Sequence, residues 1–356
     1  MLQFYSIGRA TIPTAMLRRR FLSSIPAGLA LAQAQARAQA QSSQNPIKVS
    51  VNEVIVPVTV TDEKGRFVSN LEKKDFHIFD EGKEQRIDYF TSERNQPVVV
   101  GFLLDLSNAM KIHWTKYESA VEELVLNLLP GDPKFSGYLI SFGNEKPELQ
   151  VDTCNDSEKI VEKVRKLKPA GGSAFYDAVY MSCVNRKLLQ GEPYEPRRVV
   201  IVIGDGHDSA SKKTLNEVLE IAQRNLITIY GMSTVAFGFS SEGEDALTRL
   251  AEETGGRVEY PLNNLYKDVS GYLSTPSDDG NYALTVGTGG YAGEIASGIF
   301  RAISNISGEV TTQYIMRYTP DVGEKGADRA FRRIRVGVNL QGVKVRYRSG
   351  YYPNKA

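Results

Sequence analysis

Cysteine and histidine are scarce in this 356-residue chain: two cysteines and three histidines, His77, His113 and His207, spread too far apart for a zinc ligand set. The formal net charge is +1, so there is no basic footprint for nucleic acid. Beyond the N-terminus no apolar run is long enough for a transmembrane helix, which implies a mature protein that is soluble or peripheral. No internal repeat appears. No Gly-x-Ser-x-Gly elbow offers a catalytic serine with triad partners, and no histidine or extra glutamate stands as an evident base, which argues against an enzyme. The stretch Gly287-Thr288-Gly289-Gly290-Tyr291-Ala292-Gly293 looks like a phosphate loop but follows no clear buried strand and lacks the Walker lysine. Cys154 and Cys183 are left with two readings, a disulfide in an oxidising compartment or two buried thiols.

What is there is ordinary for a globular protein, 41% hydrophobic and 24% charged residues. The first 40 residues read as an export signal rather than fold. Arg18-Arg19-Arg20-Phe21-Leu22 opens an apolar run over 21–32 that is too short to anchor in a bilayer, and small-residue cleavage candidates follow at Ala36-Arg37-Ala38 and Ala38-Gln39-Ala40. The Arg-Arg-x-Phe-Leu order resembles a twin-arginine signal, with Met16 as a candidate true start. A disordered basic N-terminus is the other reading. The export reading places the protein in the periplasm or outside the cell.

The mature chain divides by pattern. Over 41–96, after a polar linker at 41–46, Val54, Val56, Val58 and Val60 share one parity, with Pro57 suited to an edge strand; short strands follow around Phe76–Phe79 and over 85–90. Over 97–310 the character changes. Residues 98–104 and 199–203 are continuous apolar runs, the mark of strands buried on both faces. Between and after them, helical spacing recurs at Ala120, Val121, Leu124, Val125, Leu128 and Leu129, at Ile160, Val161, Val164 and Leu167, over 177–189, at Leu215, Val218, Leu219 and Ala222, and at Leu247, Leu250 and Ala251. Strands are expected at 138–142, 226–230 and 258–260. This alternation predicts an α/β fold, a doubly wound and mostly parallel sheet with helices on both faces. A Gly/Ser/Thr/Asp-rich loop or insertion is expected at 274–293, then a helix at 294–306. Over 311–356 alternation returns at Tyr314, Met316 and Tyr318, at Ile334, Val336 and Val338, and at Val343, Val345 and Tyr347, predicting strands that rejoin the N-terminal ones in a small β module.

In an open α/β sheet, ligands gather at the carboxyl ends of strands. Three separated segments bring oxygen donors there: Asp105-Leu106-Ser107-Asn108-Ala109 after the first apolar strand, Gly171-Gly172-Ser173-Ala174 before a helix, and Gly204-Asp205-Gly206 after the second apolar strand. Carboxylates and hydroxyls are the hard donors that Mg²⁺, Mn²⁺ or Ca²⁺ prefer. The competing reading has Asp105 and Asp205 only capping helices and holding loops.

These segments resemble the metal-ion-dependent adhesion site of von Willebrand factor A domains, an Asp-x-Ser-x-Ser after the first strand, a Thr in a Gly-rich loop and an Asp after a later strand. Asp105 and Ser107 match the first Asp and Ser, Ser173 stands for the Thr, and Asp205 matches the last Asp. The departure is Ala109, where the family has a second Ser, so one hydroxyl is missing. The whole mature chain also resembles bacterial secreted proteins with a VWFA-related domain, in which the flanking β segments recur, here Asp75-Phe76-His77-Ile78-Phe79-Asp80-Glu81-Gly82-Lys83 and Gly350-Tyr351-Tyr352. The resemblance implies a binding or cell-adhesion protein with a divalent cation, Mg²⁺ first and Mn²⁺ or Ca²⁺ as alternatives. A protein ligand's Asp or Glu carboxylate would complete the metal shell; a small-molecule ligand is not implied. A scaffold of the same fold without metal is one rival, supported by Ala109; a metal-dependent hydrolase, in which the two Asp residues and a metal activate water, is the other. Asn108, His207 and Trp114 are candidates for the partner-binding rim, with a solvated loop histidine and, for Trp114 and Tyr117, plain helix packing as the other readings.

Overall fold

The structure is a computed structural model that describes residues 53–92, 97–112, 114–185, 188, 197–234, 242–261, 289–320 and 330–353. The export segment at 1–40, the linker at 41–46, His113 and most of the loop expected at 274–293 lie outside the described residues. A six-stranded sheet organises the centre. Its strands are β5 (Val98–Asp105), β6 (Phe135–Gly143), β7 (Lys146–Cys154), β8 (Arg197–Gly204), β9 (Ile227–Ser233) and β10 (Val258–Glu259), in the order β10-β9-β8-β5-β6-β7. All pairings are parallel except the β6–β7 hairpin.

Helices α1 (Trp114–Leu128), α2 (Ser157–Val164), α3 (Phe175–Val184), α4 (Leu215–Arg224), α5 (Glu242–Thr254) and α6 (Gly289–Thr312) cover both faces. The two-residue period of β5 divides its apolar run between them. Val98, Val100, Phe102 and Leu104 pack with residues of α1, α2 and α6. Val99 and Leu103 pack with residues of α3, α4 and α5. Because both faces are covered, alternation vanishes from the sequence and the strand reads as one apolar run. Full burial of a side chain such as Leu103, at 0% exposure, contributes roughly 1.5–3 kcal/mol. Gly101 interrupts the run because the Tyr138 ring lies over it, with ring atoms as close as 2.4 Å to where a Cβ would stand.

Strands from the two chain flanks pair with each other. β1 (Val54–Asp62) lies beside β11 (Tyr314–Tyr318) through Val54–Val58 and beside β13 (Val343–Arg346) through Thr59–Asp62. Pro57 therefore falls on the half of β1 that has β11 as its neighbour and no β13 partner, where a missing N–H is harmless. β2 (Phe76–Asp80) pairs with β3 (Lys83–Gln85) and β12 (Arg332–Val338), and β12 pairs with β14 (Gly350–Tyr351). β4 (Tyr89–Thr91) joins β11. Two buried carboxylates knit this region. Asp80 accepts from Tyr318 Oη (3.1 Å), Tyr351 Oη (2.9 Å) and Arg332 Nε (2.9 Å). Glu309 of α6, at 0% exposure, accepts from Thr59 Oγ1 (3.0 Å) and ion-pairs with Arg257 and Arg346. The segments Asp75–Lys83 and Gly350–Tyr352 thus meet at the Asp80 carboxylate.

Several expectations need correction. β7 escapes the apolar pattern because Lys146-Pro147-Glu148-Leu149-Gln150 lies on the sheet edge, mostly in solvent. The single strand expected at 85–90 is two, since the chain leaves β3 in one sheet and enters β4 in another. α3 ends at Val184, short of 189, and α6 spans Gly289–Thr312, beyond the 294–306 expected. Cys154 and Cys183 are both free here, and of the two buried thiols expected only Cys183 is buried, Cys154 being half-exposed.

Candidate metal centre

The strand order reverses between β5 and β8, the pair that meets at the middle of the central sheet. Chain connections leave in opposite directions there, opening a crevice at the carboxyl ends. Asp105 ends β5 and Asp205 follows β8. Asp105 is 1% exposed. Its Oδ1 accepts the Ser107 N–H at 2.7 Å, a turn that curls the loop back over the strand end. Asp205 uses the same device, accepting the His207 N–H at 2.8 Å. Gly204 matters for space: a Cβ there would stand 2.7 Å from Asp105 Cβ and 3.2 Å from Asp105 Oδ2. Gly206, at φ +76°, must also be glycine, because a Cβ would come within 2.2 Å of the Gly243 carbonyl.

The Ser173 loop is stitched to both neighbours. Asn108 N–H donates to the Gly171 carbonyl (2.9 Å) and Ala170 N–H to that of Leu106 (2.6 Å). The Ser173 carbonyl accepts from the amides of Ser209 (2.9 Å) and Ala210 (3.0 Å), and the Ser173 N–H donates to Ser209 Oγ (3.0 Å). With its backbone saturated, Ser173 is 2% exposed. Burial raises the Asp105 carboxyl to about 7, the nearby Asp205 charge adds to the rise, and hydrogen bonds from Ser107 oppose it.

Two buried oxygens, Asp105 Oδ2 and Ser173 Oγ, have no hydrogen-bond partner. An unmet buried polar atom costs about 1–3 kcal/mol, more for a charged one. Orphaned hard donors, a second carboxylate close enough to be felt and the space kept by Gly204 together fit a small divalent cation. Ser107 is buried beside Asp105. Among the described residues no three His, Cys, Asp or Glu side chains cluster.

Around the crevice Asn108, Ala109 and His207 are exposed. Trp114 is not on this rim: at 6% exposure it packs in the core with Tyr117 and Val121, because the first turn of α1 turns that face toward the sheet. Tyr117 is anchored inward by donating to the Ser233 carbonyl (3.0 Å). The sequence reading missed Ser209 and Asp208, which hold the Ser173 loop and the start of α3; the signal was a helix start at Ala174 with no capping side chain of its own.

Comparison with known proteins gives distant structural likenesses and one family match. A von Willebrand factor type A structure from Catenulispora acidiphila is 12% identical, covering 73% of this chain and 72% of its own, with a TM-score of 0.41. The conserved hypothetical protein BatB from Bacteroides thetaiotaomicron is 17% identical, covering 56% of this chain and 99% of its own, at 0.37. Proximal thread matrix protein 1 from the mussel byssus, with a zinc-occupied MIDAS motif, is 14% identical, covering 48% and 42%, at 0.39. No curated protein matches. The family described as von Willebrand factor type A domain matches residues 100–267, and that stretch of the chain is a von Willebrand factor type A domain.

Proposed function

We propose that the chain is an exported binding protein that holds a divalent cation on Asp105, Ser107, Ser173 and Asp205 and engages a protein partner there. The observation that carries this is the pair of buried, unpartnered oxygens, Asp105 Oδ2 and Ser173 Oγ, at the carboxyl end of the sheet. A hard cation bound there, Mg²⁺ or Mn²⁺ before Ca²⁺, supplies a coordination position that a partner's Asp or Glu carboxylate completes. The protein's share is orientation. The Ser107 and His207 amides aim the two carboxylates, and the 209–210 segment holds Ser173. Burial of Asp105, Ser107 and Ser173 limits the access of competing water to their donor atoms. Asn108 and His207, exposed beside the crevice, would touch the partner.

Ala109 favours a second reading, a scaffold of the same fold that binds without metal, since an exposed methyl replaces a hydroxyl donor. Calorimetric titration of the mature full chain with Mn²⁺ and Mg²⁺, beside Asp105→Ala, separates the two. Saturable heat lost in the variant supports the metal. Equal heats from both proteins, or none from either, remove it.

A further inference from the structure

α3 starts at Phe175 with Ala174 in the capping position, and no side chain of its own serves the first amides. The loop after Asp205 does so instead. Tyr176 N–H donates to Asp208 Oδ1 (3.2 Å) and Asp177 N–H to Ser211 Oγ (2.9 Å). Ser211 is itself tied to Asp208, its hydroxyl donating to Oδ1 (2.6 Å) and its amide to Oδ2 (3.3 Å). The clasp is reciprocal, for Asp177 on α3 accepts the amides of Lys212 (3.1 Å) and Lys213 (3.0 Å). One step closer to the crevice, Ser209 saturates the backbone of Ser173.

We propose that Asp208 is a positioning residue for the metal centre: by capping α3 from the Asp205 loop, it locks Ser173 in register with Asp205 before any cation arrives. This rests on the metal reading above. Asp208 is three residues past Asp205, and Tyr176 three past Ser173, so the clasp is the shortest side-chain tie between the two ligand segments beyond Ser209. Both Asp208 oxygens are committed to α3 and Ser211, which leaves the carboxylate as a brace and not a ligand. A cation site whose donors come from separate loops depends on such outer contacts, because each donor must wait at the right place without the ion to hold it. Losing a cap frays the first turn of a helix, and Ser173 lies at the end that frays.

The test uses the mature full chain titrated with Mn²⁺ alone. Asp208→Ala should weaken Mn²⁺ binding by about tenfold to a hundredfold. Asp208→Asn keeps an acceptor for Tyr176 N–H and should recover most of that loss. Asp80→Asn, which opens a buried polar cluster in the flanking strands, is the stability control and should leave Mn²⁺ affinity within about twofold of wild type whatever its melting temperature. Hydrogen exchange at the Tyr176 and Asp177 amides should quicken in Asp208→Ala and not in Asp80→Asn. Asp208→Ala binding as tightly as wild type overturns the inference alone, and so does an equal affinity loss in Asp80→Asn. A wild type that takes up no Mn²⁺ removes the metal reading, and the inference with it. Should Asp208→Ala fail to fold, Ser211→Ala takes its place, with a smaller loss expected and unchanged binding again overturning the proposal.

Discussion

Metal uptake should be tied to a proton on Asp105. Its carboxyl sits at about 7 against an ordinary 3.8, chiefly through burial. Below pH 7 the proton competes with the cation, and affinity should fall about tenfold for each further pH unit. Between pH 8 and pH 6 the Mn²⁺ dissociation constant should therefore rise about tenfold, where a carboxylate at 3.8 would leave it flat. Calorimetry at pH 8, 7, 6 and 5.5, in two buffers of different ionisation enthalpy, reads both the affinity and the proton released, close to one per ion at pH 6. The same shift sets the stability of the metal-free chain. The folded pKa lies above the unfolded one, so the stabilising contribution is complete below 3.8 and is lost as pH rises through 7. At pH 8 the ionised carboxylate costs up to about 4 kcal/mol, at 1.36 kcal/mol per pKa unit. Asp105→Asn, which keeps an acceptor for Ser107 N–H, should then melt higher than wild type at pH 8 without metal and equally near pH 4. Mn²⁺ should raise the wild-type melting temperature and leave the variant unmoved. A dissociation constant that stays flat from pH 8 to 5.5, or an Asn variant no more stable at pH 8, refutes the reasoning.

Three further outcomes follow from packing and chemistry. Gly101→Ala should destabilise by about 1–3 kcal/mol through the clash with Tyr138, and Tyr138→Leu should relieve most of it; chemical denaturation of the single and double variants checks this. Asp80→Asn should cost about 2–4 kcal/mol, since Arg332 would lose its buried countercharge, and an unfolding midpoint equal to wild type would contradict the cluster's role. A thiol reagent followed by mass spectrometry should add one label to the native chain, on Cys154, and two in denaturant, because Cys183 is buried and its thiol is pushed up to about 12; two inert cysteines under denaturant would mean a disulfide after all.

The core strands were legible because full burial leaves a chemical trace: Val98–Leu104 and Val199–Ile203 carry nothing polar. Helices α1, α2 and α4 were legible through spacing, their inner faces being apolar and their outer ones charged. β7 left no such trace, since an edge strand in solvent is written in Lys, Pro, Glu and Gln. Trp114 could not be placed from its position alone, because a residue opening a helix faces the rim or the core by a rotation that only packing sets. Its burial among Tyr117 and Val121 answers that.

Asp105, Ser107, Ser173 and Asp205 were recognisable as candidate donors because each sits near a strand end or a glycine, local features that a linear text records. The clasp of Asp208, Ser211 and Asp177 was not, for it exists only once α3 and the 208–213 loop lie side by side. The sequence alone determined the buried central strands, most of the helices and which segments carry candidate oxygen donors beside strand ends, since periodicity and residue chemistry are local. Tertiary structure decided that β1 pairs with β11 and β13, more than 250 residues away, and that Asp105 Oδ2 and Ser173 Oγ are left buried without partners. Those facts depend on which surfaces meet, and no stretch of chain carries that information by itself.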